Sequence, residues 1–104
     1  MYKVEDLIIW KKSIELTKRA YLLISEFPSN EKYRLNTQIK RSAVSIPSNI
    51  AEGAGINSNK KFKYFMSVAN SSTYELETQL ILLIELNLIS KEKTQPVIEL
   101  CIEI

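Results

Sequence analysis

The sequence contains no histidine, one cysteine (Cys101), two glycines and three prolines among 104 residues. Without histidine, a single chain cannot assemble a Ser-His-Asp or Cys-His nucleophile, nor a zinc site with an imidazole ligand. Most hydrolase and metalloenzyme classes are excluded on that ground. A lone cysteine closes no intrachain disulfide, which fits a reducing cytoplasm. So few glycines and prolines leave too few turn signals for an all-β sandwich or barrel, which needs one about every 8–12 residues. Long hydrophobic runs are missing as well. The most apolar, from Leu80 to Ile84, is broken by Glu85 and falls far short of the ~20 residues that span a bilayer. The N-terminus, MYKVEDLIIW, places acids where a signal peptide needs a basic region and then an uninterrupted apolar one.

What is present suits one helical domain over residues 1–104, with 45% hydrophobic and 25% charged residues. Breakers cluster at FPSNE (27–31), GAGINSN (53–59) and NLIS (87–90), which divides the chain into four helical stretches. In the first, Leu7, Trp10, Ile14, Thr17, Tyr21 and Ile24 recur at alternating steps of three and four, with Asp6 placed to cap it and Phe27-Pro28 to end it. The second runs from about Glu31 to Glu52, with Leu35, Ile39, Ser42, Ile46 and Ile50 on one side and Gly53 and Gly55 as its stop. The third starts near Ser58 and carries Phe62, Phe65, Ala69, Thr73, Leu76, Leu80, Leu83 and Asn87 over about 30 residues. The fourth starts at Ser90 or Thr94 with Val97, Cys101 and Ile104 inward, and requires Pro96 to sit near its first turn. The spacing predicts an all-α, up-down-up-down antiparallel four-helix bundle.

Three of the four helices carry more apolar surface than one bundle core needs. Helix two has a second stripe of Tyr33, Val44, Pro47 and Ala51; the end of helix three and most of helix four are apolar nearly all round. Each side chain left in water forgoes about 1.5–3 kcal/mol of burial, and together they exceed the patch usual on a monomer. A cyclic homo-oligomer is the economical expectation.

Charge is unevenly placed. Residues 1–65 hold twelve lysines and arginines against six acids, a net of +6, while residues 66–104 hold two against six, a net of −4. Lys32, Arg34, Lys40 and Arg41 on helix two, with Lys60, Lys61 and Lys63 at the start of helix three, are candidate contacts to an anionic partner, RNA or a nucleic-acid-handling protein. The same asymmetry equally suits two solvated faces, or a seam between subunits. Glu75 and Glu77, two positions apart on a helix, point away from each other and form no acid-base pair. GAGINSN lacks the Lys-Ser/Thr of a P-loop and reads as a turn. Trp10, Tyr21, Phe62, Phe65 and Tyr64 sit at helical spacing as core aromatics, with Tyr33 or Tyr64 the candidates for base stacking. No cofactor, metal, small-molecule substrate or membrane is called for, and no catalytic residue is expected.

The segment Ser45-Ile46-Pro47-Ser48-Asn49-Ile50-Ala51-Glu52-Gly53 has its own physics. Pro47 removes a backbone donor and frees the carbonyl of Ala43, so a hydroxyl or another partner must satisfy it. Ser42, Ser45 and Ser48 are small enough for close helix approach and polar enough to help; Asn49 and Glu52 are placed to bond Arg41 or a partner helix. The segment is read as structural, with a groove for ligand or RNA as the alternative.

The run from Leu35 to Gly53, containing SIPSNIAEG, resembles the hallmark of the four-helix-bundle proteins of intervening sequences in bacterial 23S ribosomal RNA genes. Asp6-Leu7 with Ile9-Trp10-Lys11, Phe27-Pro28 with Glu31 and Tyr33, Lys61-Phe62, and Ala69 to Leu80 extend the resemblance along nearly the whole chain. It implies an antiparallel bundle, a ring-like homopentamer, no enzymatic activity, and a molecular role still undetermined. It is also similar to the basic accessory protein of diversity-generating retroelements, which associates with a reverse transcriptase and nucleic acid. It further implies a fourth helix several turns longer than residues 90–104 provide.

Overall fold

A computed structural model describes residues 2–26 and 33–104, together with the backbone but not the side chain of Tyr33. The expected first turn at 27–31, the start of the second helix at Glu31, and Lys32 lie outside the described residues. After a 3-10 turn over Val4–Asp6 come four helices, α1 (Ile8–Ser25), α2 (Tyr33–Ala54), α3 (Asn59–Glu85) and α4 (Lys91–Ile102). No strand occurs among the described residues. The chain is all-α, four helices packed as a bundle.

The helix starts follow local chemistry. Ser58 caps α3 and Ser90 caps α4, each side-chain oxygen accepting from the backbone N–H three residues on, Lys61 and Lys93. Asp6 does not cap α1. It belongs to the preceding 3-10 turn, and extended Leu7 occupies the cap position with no side-chain bond. Gly53 does not stop α2, which runs through Ala54. A Cβ at Gly53 would lie 3.0 Å from Met66 Cε and 3.1 Å from Phe65 Cβ, so this glycine serves the close approach of α3. Asn87, expected on the α3 seam, is exposed instead; its left-handed φ of 58° turns the chain toward α4. Pro96 is the sixth residue of α4, beyond the first turn where it was expected.

The core is built from Leu16, Ala20, Ile39, Ala43, Ile46, Ile50, Leu76, Leu80 and Leu83, all fully buried, closed by Val97, Ile98 and Cys101 of α4. The expected stripes of α2 and α3 are the observed ones from Ile39 to Ile50 and from Ala69 to Leu83. In α1 the buried face is Ser13, Leu16, Ala20, Leu23 and Ile24. That face is rotated from the expected seam, leaving Tyr21 exposed and Leu7, Trp10, Ile14 and Thr17 half-buried. Small Ser13 and Ala20 let a neighbouring helix come close, and size outweighs hydrophobicity at those points. Around the bundle α1 touches α2 and α4, and α3 touches α2 and α4, with α2 against α3 the most extensive contact. Among the described residues no pair of backbones approaches across either diagonal.

Candidate functional site

The interior of α2 explains the Pro47 segment. Pro47 is buried at mid-helix, and the Ala43 carbonyl it releases accepts a hydrogen bond from Thr17 Oγ1 of α1 at 3.0 Å. The same hydroxyl lies 2.8 Å from the Ser13 carbonyl, so one proton is shared between two acceptors. None of Ser42, Ser45 or Ser48 plays this part. Ser42 Oγ bonds the Gln38 carbonyl at 3.0 Å and Glu75 of α3 at 2.8 Å. Ser45 pairs with Ser72 of α3 at 2.8 Å. Asn49 donates to the Ser45 carbonyl at 2.7 Å and to its hydroxyl at 2.9 Å, rather than reaching Arg41. Ile46 and Ile50 are core, Ala51 is half-buried, and Ser48 and Glu52 face out. Every described polar contact of this segment stays within α2 or goes to α3 or α1, which makes it a helix-packing element.

The basic residues are a different case. Arg34, Lys40, Arg41, Lys60, Lys61 and Lys63 are all exposed, and none forms an ion pair with a carboxylate among the described residues. Lys3, Lys11 and Lys91 are likewise exposed and in no ion pair among the described residues, whereas Lys12, Lys18, Arg19 and Lys93 each lie within 3.9 Å of a glutamate. Arg19 holds the Glu15 carboxyl below its ordinary range, mainly through their 2.9 Å hydrogen bond.

The six cations do not form one patch. Ser42 bonds Glu75 and Ser45 meets Ser72, so partner numbers fall along α3 as they rise along α2. Arg41 therefore stands fifteen helical steps, about 20 Å, from the level at which α3 begins with its lysines. One group lies at that end, where the Tyr2 ring packs 5.3 Å from Phe62 and the Tyr2 N–H donates to the Ala54 carbonyl at 2.8 Å. Tyr64 is exposed beside these lysines. The other group edges a groove between α1 and α2, two adjoining hollows of ≈ 470 and ≈ 440 Å³ that share Tyr21 and Val44. Lys18, Lys40 and Arg41 line this groove with no acid among its walls. Lys40 Nζ sits 5.2 Å from the centre of the Tyr21 ring, a cation–π contact. Sequence reasoning placed Lys40 and Arg41 but missed Lys18, and it assigned Tyr21 to the core. Both lie on α1, and only packing brings them beside α2.

On the opposite side of the bundle, Glu75 turns to α2 and Glu77 to a hollow shared by Tyr74, Cys101 and Ile102, so the two carboxylates diverge as their spacing predicts. Burial, aided by the Glu77 charge, pushes the Cys101 thiol up to about 12. Among the described residues no cluster of His, Cys, Asp or Glu is arranged to hold a metal ion, and no helix is long and apolar enough to cross a membrane.

Comparison with curated proteins gives no match. A family model described as 23S rRNA-intervening sequence protein matches residues 5–104, and the chain belongs to that family.

Proposed function

We propose that this protein is a non-catalytic, self-associating helical bundle that binds RNA through its basic surface. The observation that carries the reading is the grouping of exposed cations that form no ion pair among the described residues, Lys60, Lys61 and Lys63 at the start of α3 and Lys40 with Arg41 beside the groove between α1 and α2. Cations left unneutralised keep their full field for phosphates, and repetition around an assembly multiplies it. An up-down-up-down antiparallel course closed into a cyclic homo-oligomer agrees with the neighbour order of the helices and with the large apolar side chains left in water. The pentamer number comes from family resemblance alone, and the lone cysteine fits a cytoplasmic setting.

Titration of a labelled RNA against the purified chain at several salt concentrations tests the reading. Four phosphate contacts predict that affinity falls roughly tenfold for each doubling of salt. Reversing Lys60, Lys61 and Lys63 to Glu is expected to weaken RNA binding at least tenfold and flatten that slope, with the mass by light scattering unchanged. No salt-dependent affinity in the native chain sinks the proposal. A scaffold that uses its charges only for assembly predicts the opposite pattern, lost mass and no RNA affinity at any salt.

A further inference from the structure

The groove between α1 and α2 has more than phosphate binding needs. Its cations, Lys40 and Arg41, stand exposed and form no ion pair among the described residues. Lys18 adds a third, partly committed to Glu15 at 3.9 Å. Between them the floor is apolar and aromatic, with Tyr21 40% exposed, Leu22 59% and Val44 42%. Side chains of this kind forgo burial free energy while they stay in water, so the floor favours a partner as the rim does.

Shape and chemistry narrow the occupant. The two hollows, ≈ 470 and ≈ 440 Å³, share Tyr21 and Val44 and form one open groove, not an enclosed cavity. From Thr37 to Ser45 the groove follows eight steps of α2, about 12 Å. That form suits a strand laid along it better than a small molecule sealed inside. The strand has to bring anions to the rim and flat or apolar groups to the floor. A paired RNA helix brings only the first, because its bases are stacked on one another and only its backbone and base edges face out. Single-stranded RNA brings both. Lys40 Nζ lies 5.2 Å from the centre of the Tyr21 ring, and a cation held beside an aromatic surface is the combination that single-strand binding uses.

We propose that this groove binds an unpaired stretch of RNA, with a base packed on Tyr21, Leu22 and Val44 and the flanking phosphates on Lys40 and Arg41. This rests on the RNA-binding part of the proposed function and names the form of RNA that is bound. Phosphate contacts alone favour a duplex, whose charge is denser, so a preference for the single strand has to come from contacts to bases. The lysines at the start of α3 supply charge that does not distinguish the two forms. Exposed Tyr74, Ile81 and Ile102, on α3 and α4, remain for contact between copies.

Fluorescence anisotropy with two labelled RNAs, an oligouridylate and a duplex carrying the same number of phosphates, tests this over a series of salt concentrations. The native chain is expected to bind the oligouridylate more tightly. Tyr21→Leu keeps an apolar side chain at an exposed position and removes the ring. It should weaken single-strand binding about tenfold and change duplex binding by less than about twofold. Tyr21→Trp should match or exceed the native affinity, and its indole emission should be quenched by oligouridylate once the Trp10 signal of the native chain is subtracted. Lys40→Gln with Arg41→Gln should lower the log–log salt slope for the single strand by about 1.4, the loss of two phosphate contacts. Light scattering and circular dichroism should show the native mass and helix content in every variant.

Equal or tighter duplex binding by the native chain overturns the proposal. So does a Tyr21→Leu variant that loses both RNAs equally, or neither. A mass that falls together with the affinity also overturns it, since another copy would then occupy the groove. Each of these results leaves RNA binding by the basic surface standing. Absence of salt-dependent affinity for either RNA refutes the proposed function itself, and the groove proposal with it.

Discussion

Two helices carry a proline inside them, and the bundle treats the two differently. Pro47 lies buried at the middle of α2, and the carbonyl it orphans is met by a hydroxyl from another helix, Thr17. Pro96 lies exposed in the second turn of α4, and the carbonyl it frees belongs to Glu92, itself exposed, where water can serve. A helix defect is thus tolerated in two ways: solvent satisfies it at the surface, and a tertiary donor must satisfy it inside. The buried form links α1 to α2 and helps fix how the helices meet; the exposed form links nothing.

Breaking the buried arrangement should cost most. Thr17→Val keeps the shape and removes the donor, leaving the Ala43 carbonyl unpaired inside the bundle. A loss of about 1–3 kcal/mol is expected, read as a fall in the urea midpoint at fixed protein concentration. In a Pro47→Ala background the restored backbone N–H can serve Ala43, so the same Thr17→Val change should cost at least about 1 kcal/mol less. Equal costs in both backgrounds would show that Thr17 acts through something other than the proline. Pro96→Ala probes the exposed arrangement and should run the other way, stabilising the protein by about 1–2 kcal/mol. That is less than the ~3 kcal/mol proline penalty of a helix interior, because the Glu92 carbonyl is already in reach of water.

This contrast also marks what could be read from the sequence. The stripe from Leu35 to Ile50 and the third-helix seam from Ala69 to Leu83 are legible because large apolar residues repeat at three-four spacing on helices with two neighbours. The serine caps at Ser58 and Ser90 are legible because capping is local. The α1 face is not, because Ser13 and Ala20 are buried for their size while Tyr21 and Leu22 are left out. Proline chemistry names Ala43 as the group in need; its donor lies 26 residues away on a helix whose rotation the pattern misjudges. The basic groove was half legible for the same reason: Lys40 and Arg41 follow from the α2 helix alone, whereas Tyr21 and Lys18 join them only through packing.

The inner face of α4, Val97, Ile98 and Cys101, is buried although its proline is exposed, and Cys101 reports on that difference. Its thiol is raised to about 12, first by burial, against an ordinary value of 9.0. Between pH 9 and 12 the unfolded chain therefore gives up a proton that the folded chain keeps, so stability is constant below about pH 9 and falls as pH rises through the window. The slope for this one group is at most about 1.4 kcal/mol per pH unit. Subtracting the profile of Cys101→Ala from that of the native chain between pH 8 and 10 isolates it from tyrosines and lysines. A flat difference would mean that α4 opens easily at this end and that its packing matters less than that of α2.

The two glycines at the end of α2 give the smallest and most local form of the comparison. At Gly53 an added Cβ meets Met66 Cε at 3.0 Å and Phe65 Cβ at 3.1 Å. The methionine tip can swing aside, but the phenylalanine Cβ is fixed to the α3 backbone, so the helices must part slightly. That overpacking offsets the helix-propensity gain of about 1 kcal/mol, and Gly53→Ala should be neutral or destabilising. At Gly55 a Cβ meets only the Ala51 and Glu52 carbonyls, at 3.6 and 3.8 Å, and φ is not positive. Gly55→Ala should then stabilise by about 0.4–1 kcal/mol, chiefly by restricting the unfolded chain. Urea midpoints of the two variants should move apart, and a shared direction would mean that α3 does not depend on Gly53 for its approach to α2.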